Sequence, residues 1–134
     1  MDAQQTPAAP PPMRVCELGL VPYAEALALQ RRLSERRQAE EIPDTLLVLE
    51  HPPTYTRGRR AAAGELTLGE AFYRSRGIEV HHTDRGGRVT YHGPGQLVGY
   101  PIMRTSDVGA HLRAMEEAII AALGEHDPKS PPRR

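Results

Sequence analysis

Apolar and polar residues fall into blocks along the chain, and the period of each block predicts an element. Met13 to Leu20 has strand composition. Val21-Pro22-Tyr23 then opens a helix, with proline in the first turn, where its missing N–H is not needed. Tyr23, Leu27, Gln30 and Leu33 share one stripe at helical spacing. That helix is expected to fade by about Glu41, because Ile42 precedes Pro43 and the residue before a proline resists helical geometry. The run TLLVLE at 45–50, halted by Pro52-Pro53, has the pattern of a buried strand. TYTRGRR at 54–60 predicts a second strand ending in a basic, glycine-containing turn. A short helix is expected over 68–76, closed by Gly77 as a left-handed cap, and 78–83 returns to extended structure. The last element has Ser106 as its expected N-cap and Asp107 in its first turn. Its apolar stripe is Val108, Leu112, Met115, Ile119 and Leu123, and Gly124 is expected to end it.

Composition closes this picture at both ends. Residues 1–12, with Pro7, Pro10, Pro11 and Pro12 among alanines and glutamines, are expected to form a solvated tail, and so is the proline-rich 124–134. A single domain over 13–123 remains, and its strands and helices predict an α+β fold with a mixed or antiparallel sheet packed on helices. Seventeen basic residues balance seventeen acidic ones, so no global field draws the chain to nucleic acid or to a membrane, and neither is expected as a partner. Lys129 is the only lysine. The single cysteine, Cys16, excludes an internal disulfide and fits a reducing compartment. With no leader-like N-terminus and no long apolar run, the expected location is cytoplasmic.

Candidate chemistry concentrates in residues 85–101, RGGRVTYHGPGQLVGYP, with five glycines and two prolines in seventeen positions. Gly86-Gly87 and His92-Gly93-Pro94-Gly95-Gln96 form two turns around one alternating strand. Glycine lets backbone N–H groups approach a ligand's carbonyl or phosphate directly. A glycine-rich β-hairpin without chemistry satisfies the same composition.

The string itself resembles the signature of the octanoyltransferases of lipoate biosynthesis, relatives of the lipoate and biotin protein ligases. The resemblance extends to Glu17–Tyr23 (ELGLVPY) and to Thr45–Gly58 (TLLVLEHPPTYTRG), so that it covers roughly residues 13–123. It implies the N-terminal portion of a biotin/lipoate ligase-like catalytic domain. Members move an octanoyl group from acyl carrier protein to a lysine of lipoyl domains through a cysteine thioester, with no nucleotide or metal cofactor. By resemblance, Arg85, Gly86, Gly87, Arg88, Val89, Thr90, Tyr91 and His92 form the acyl-substrate-binding segment.

The family's nucleophilic cysteine and its activating lysine belong to a C-terminal half, beyond the segment matched here. Cys16 and Lys129 match neither, so no catalytic residue is assigned, and a truncation or frameshift that removed the second half is the expectation. Cys16 is expected to behave as a small buried hydrophobe. An acyl- or carrier-binding remnant without turnover is the alternative. An ATP-dependent lipoate ligase is a further one, although the chain has no GxxxxGK[ST] loop.

Two other groupings have competing readings. Arg57, Arg59 and Arg60, with Arg85 and Arg88, form either a basic mouth for an acidic carrier or a set of solvated arginines. His51, His81, His82 and His92 lack the helical spacing of a zinc site.

Overall fold

The computed structural model describes residues 11–126 of the 134-residue chain. The elements are β1 (Arg14–Leu20), α1 (Tyr23–Gln38), β2 (Thr45–Glu50), β3 (Thr54–Arg57), α2 (Glu70–Ser75), β4 (Glu79–His82), β5 (Val89–His92), β6 (Val98–Ile102) and α3 (Val108–His126). The α+β class is as expected, but the strands divide between two three-stranded sheets, ordered β1-β2-β6 and β4-β3-β5.

Both sheets are built the same way. β1 runs parallel to β2 with α1 as the connection, and β3 runs parallel to β4 with α2 between them. A parallel pair needs such a crossover. Each sheet then gains one antiparallel strand, β6 against β2 and β5 against β3. The segment 85–101 is therefore not a hairpin: β5 and β6, joined by His92-Gly93-Pro94-Gly95-Gln96, lie in different sheets. The turn carries the chain from one sheet to the other.

β2 shows strict alternation, with Thr45, Leu47 and Leu49 buried. Leu47 and Leu49 meet Ala26 of α1, and Cys16, Val21, Leu29, Leu33, Val98 and Tyr100 pack around that cluster. The buried side of α1 thus runs through Tyr23, Ala26, Leu29 and Leu33, and small Ala26 lets the helix lie close to the sheet. Leu27, expected on this stripe, stands beside it. Cys16, expected to be buried, is partly buried at the edge of that cluster, where it packs as a small hydrophobe. Leu18 has no partner in β2, because the register slips between Glu17 and Gly19.

α2 is a single short stretch, too brief to persist by propensity alone. Glu70 fastens it to its sheet. Its carboxylate accepts from Arg57 Nη1 at 2.8 Å, and Arg74 Nη2 and His82 Nε2 lie at 3.3 and 2.9 Å. The hydrogen bond from Arg57 holds Glu70 below the usual carboxylate range, with the charges of His82 and Arg74 acting the same way against desolvation. A depressed carboxylate stabilises the fold above its unfolded-state value, and that stabilisation disappears as pH falls through the folded-state value. Glu70→Gln is therefore expected to lower Tm near neutral pH, and the gap to the unaltered protein should close on acidification. A gap independent of pH between neutral and acid conditions would remove Glu70 from this role.

A second compact unit begins at Arg104 and is described as far as His126. Here α3 differs from expectation at both ends. Its N-cap is Asp107 rather than Ser106, since Asp107 Oδ1 accepts the Ala110 amide at 2.9 Å, three residues into the helix. It also runs through Gly124 to His126. Val108, Leu112, Ile119 and Leu123 are exposed. The expected tails over 1–10 and 127–134, and Lys129, lie outside the described residues.

Candidate functional site

The eight residues singled out in the sequence occupy the turn before β5 and β5 itself. Register divides them. Thr54 and Thr56 of β3 are buried, whereas Tyr55 and Arg57 at the alternate positions are only partly so. His92 pairs with Thr54 and Thr90 with Thr56, while Tyr91 pairs with Tyr55 and Val89 with Arg57. Because side chains alternate across a strand, Thr90 and His92 share the inner face and Val89 and Tyr91 the outer one. Tyr91 stacks near Tyr55, and Tyr55 near Tyr73, with ring centroids 5.1 Å apart in both pairs.

Arg85 turns its guanidinium inward. Nη2 lies 2.9 Å from the Thr56 carbonyl, 2.7 Å from Thr56 Oγ1, 3.0 Å from the Arg88 carbonyl and 3.2 Å from Thr90 Oγ1, and Nη1 donates to the Gly86 carbonyl at 2.9 Å. Two N–H groups on Nη2 are thus shared among four oxygens. Arg85 holds the glycine turn in shape, with Nη2 wholly and Nη1 in part given over to protein oxygens.

The same turn is strapped to the basic one. Gly58, Arg59 and Arg60 amides donate to the carbonyls of Arg88, Arg85 and Gly87. Gly87 has φ +89, and a β-carbon on Gly58 would lie 2.8 Å from the Gly86 carbonyl and closer still to that of Gly87. Both positions therefore require glycine.

The arrangement narrows the basic mouth. Arg57 is paired with Glu70, and Arg88 lies 2.7 Å from Glu65, whose other carboxylate oxygen accepts the Val89 amide. Arg85 is engaged as well, and Arg59 and Arg60 are the exposed members of that group that stand as candidates for a long-range field.

His92 is held on both nitrogens. Nδ1 lies 2.9 Å from Gln96 Oε1, an acceptor, so Nδ1 carries the hydrogen, and Nε2 faces the Thr56 hydroxyl at 3.5 Å. Burial holds its imidazole below the ordinary value, and Arg85 and His51 push the same way, against the hydrogen bond to Gln96. His92 is thereby a neutral ring near pH 7, suited to orienting a carbonyl or hydroxyl rather than to pairing with an anion.

Thr56, Gln96, Glu65 and Glu50 complete the site without having been singled out. Glu50 accepts the Gly95 amide and so ties the second glycine turn to the end of β2. Thr56 was readable only as an alternating strand position, and the carboxylates carried no local signal. Among the described residues no group of three or more His, Cys, Asp or Glu is placed to hold a metal, and no helix is long and apolar enough to cross a membrane.

The family model of the lipoyl protein ligase A/B catalytic domain matches residues 22–130. An octanoyltransferase of Rubrobacter xylanophilus is 58% identical over 108 residues, which are 78% of this chain and 49% of the relative. One of Chloroflexus aggregans is 46% identical over 115 residues, 83% of this chain and 52% of the relative. The chain thus spans about half the length of these curated relatives. Among solved structures, a bi-partite lipoate protein ligase from Thermoplasma acidophilum superposes with a TM-score of 0.58 at 21% identity, covering 82% of this chain and 44% of that one. A lipoate-protein ligase A bound with ATP gives 0.52 at 18% identity, covering 83% and 44%. At these identities the structures establish the fold.

Proposed function

The chain belongs to the lipoyl protein ligase A/B catalytic-domain family, and on that premise we propose that it is the acyl-binding part of an octanoyltransferase of lipoate biosynthesis. The substrates are octanoyl-acyl carrier protein and a lipoyl-domain lysine, and the reaction belongs to the cytoplasm. The curated octanoyltransferases, at 46–58% identity in the two relatives above, support the acyl group. A lipoyl domain appears with the Thermoplasma ligase and supports the acceptor class.

The observation that carries the reading is the inner face of β5. Thr90 and His92 stand beside a glycine turn whose shape Arg85 maintains, which offers a thioester carbonyl a neutral imidazole, a hydroxyl and closely approachable backbone. Gly86, Gly87 and Arg88 define the rim of this face, and Val89 and Tyr91 support it from the outer side. Arg85 acts on the substrate through the turn. No nucleophile is assigned among the described residues, because Cys16 is packed against the Ala26, Leu47 and Leu49 cluster.

Titration of the chain with S-octanoyl-pantetheine, followed by backbone and histidine-ring NMR, is expected to shift Gly86, Gly87, Thr90 and His92 together. Shifts confined to Tyr55 and Tyr91 would move the site to the outer face, and an unchanged spectrum would reject acyl binding. Intact mass after incubation with octanoyl-loaded carrier separates binding from transfer: a hydroxylamine-sensitive adduct would make Cys16 a nucleophile and overturn its apolar role.

A further inference from the structure

His51 follows β2 in the phase of Thr45, Leu47 and Leu49, and it is completely buried. Its Nδ1 lies 2.7 Å from the Val21 carbonyl oxygen and its Nε2 2.7 Å from the Tyr100 hydroxyl. A carbonyl oxygen can only accept, so Nδ1 carries the hydrogen. In the neutral ring Nε2 is then the acceptor, and the Tyr100 hydroxyl donates to it. Burial pushes Tyr100 up to about 12, with the nearby Tyr23 adding to the effect, so the phenol keeps the proton it donates. The Val21 amide in turn donates to the Glu50 carbonyl at 2.8 Å, which clasps the entry of α1 to the end of β2 from both sides.

Three elements face this imidazole. Tyr23 of α1 lies 5.4 Å away between ring centroids, Tyr100 of β6 5.8 Å, and His92 of β5 5.8 Å in an edge-to-face contact. His51 thus stands where the two sheets meet, directly after Glu50, which holds the turn joining β5 to β6. We propose that His51 is a positioning residue for Tyr100 and His92: fixed as the Nδ1–H tautomer by Val21, it accepts the Tyr100 hydroxyl on Nε2 and backs the His92 ring with its own. Its importance for catalysis rests on the acyl-site reading above, whereas the tautomer is observable without a ligand.

Long-range nitrogen–proton NMR on the whole chain tests this directly. The unaltered protein is expected to show His51 with Nδ1 protonated and Nε2 as an acceptor. In His51→Asn the side-chain amide retains a donor for Val21 but has no counterpart of Nε2. The titration midpoint of His92 is expected to rise by about half a pH unit as its neighbour is lost and water reaches the ring. Tyr100→Phe keeps the ring volume, and in that variant the His51 Nε2 resonance should move to that of a free acceptor while Nδ1–H persists. A His51 protonated on Nε2, an unmoved His92 midpoint in folded His51→Asn, or an unmoved Nε2 resonance in Tyr100→Phe overturns the proposal. Failure of the unaltered chain to bind S-octanoyl-pantetheine overturns the acyl-site reading instead, and the spectra still decide the positioning.

Discussion

Arg85→Met is expected to lower the unfolding free energy by about 3 kcal/mol, as much as a buried structural residue, although Arg85 belongs to an exposed turn. Its guanidinium serves five oxygens, and two of these belong to Thr56, which is buried. Methionine preserves the apolar stem and removes every donor, so Thr56 keeps its acceptors in a place that water reaches poorly. Arg85→Lys should recover less than half of the loss, because a compact ammonium restores the charge without the planar fork that spans Gly86, Thr56 and Thr90. Urea unfolding of the three proteins measures this, with unchanged m-values licensing the comparison. A loss below about 1 kcal/mol would mean that water replaces the guanidinium, and would return Arg85 to the pool of side chains free to meet a ligand. If the turn is held as described, octanoyl-pantetheine affinity should also fall by about tenfold, through displacement of the backbone rather than loss of a direct contact.

The second large effect is expected at Gly58. Gly58 is buried and leaves no room for a β-carbon: beside Arg85 Nη1, which could swing aside, the obstacles are the backbone carbonyl oxygens of Gly86 and Gly87, which cannot. Gly58→Ala must separate the two turns and break the bonds that Arg59 and Arg60 amides make to Arg85 and Gly87. The cost is expected to be about 3 kcal/mol, at the upper end for overpacking, with the amide resonances of 58–60 and 85–88 moving together. Gly64→Ala, at a position open to solvent, is the control and should change stability by less than about 0.5 kcal/mol. Equal stability of the two variants would show that the straps between the turns are dispensable.

Much of this architecture was legible from period alone. All six strands, β1 to β6, lie where strand composition placed them, because their aliphatic and aromatic residues fall between well-marked prolines and glycines. α1 was legible too, but its stripe was read through Leu27, since residue size suggests a buried Leu sooner than a buried Ala. Ala26 wins because close approach of helix to sheet favours the smallest side chain at the point of contact. Asp107 rather than Ser106 caps α3 for a reason equally local: both residues can cap, and the choice depends on which carbonyl begins the helix.

The candidate site was legible as a segment and not as a surface. Residues 85–92 carry the glycine spacing and the resemblance, yet their division into inner and outer faces follows from pairing with β3, some thirty residues earlier in the chain. Arg85 offered the same ambiguity. In the sequence Arg85 belonged either to a basic mouth or to a set of solvated arginines, and only the folded turn, with Thr56 and Thr90 brought beside it, turns its donors inward. His51 was foreseeable in part, since it continues the buried phase of 45, 47 and 49, but its partners lie at positions 21 and 100.

By itself, then, the sequence determined the element types, the glycine-dependent turns, the α+β class and the family, because these depend on local period and on residue identity at fixed spacing. Tertiary structure alone decided that β5 and β6 belong to different sheets, that Arg57 and Arg88 are neutralised by Glu70 and Glu65, and that His51, His92 and Tyr100 converge. Those outcomes depend on pairings between strands distant in the chain, where a hydrogen bond's direction and a strand's face are set by the partner and not by the neighbouring residues.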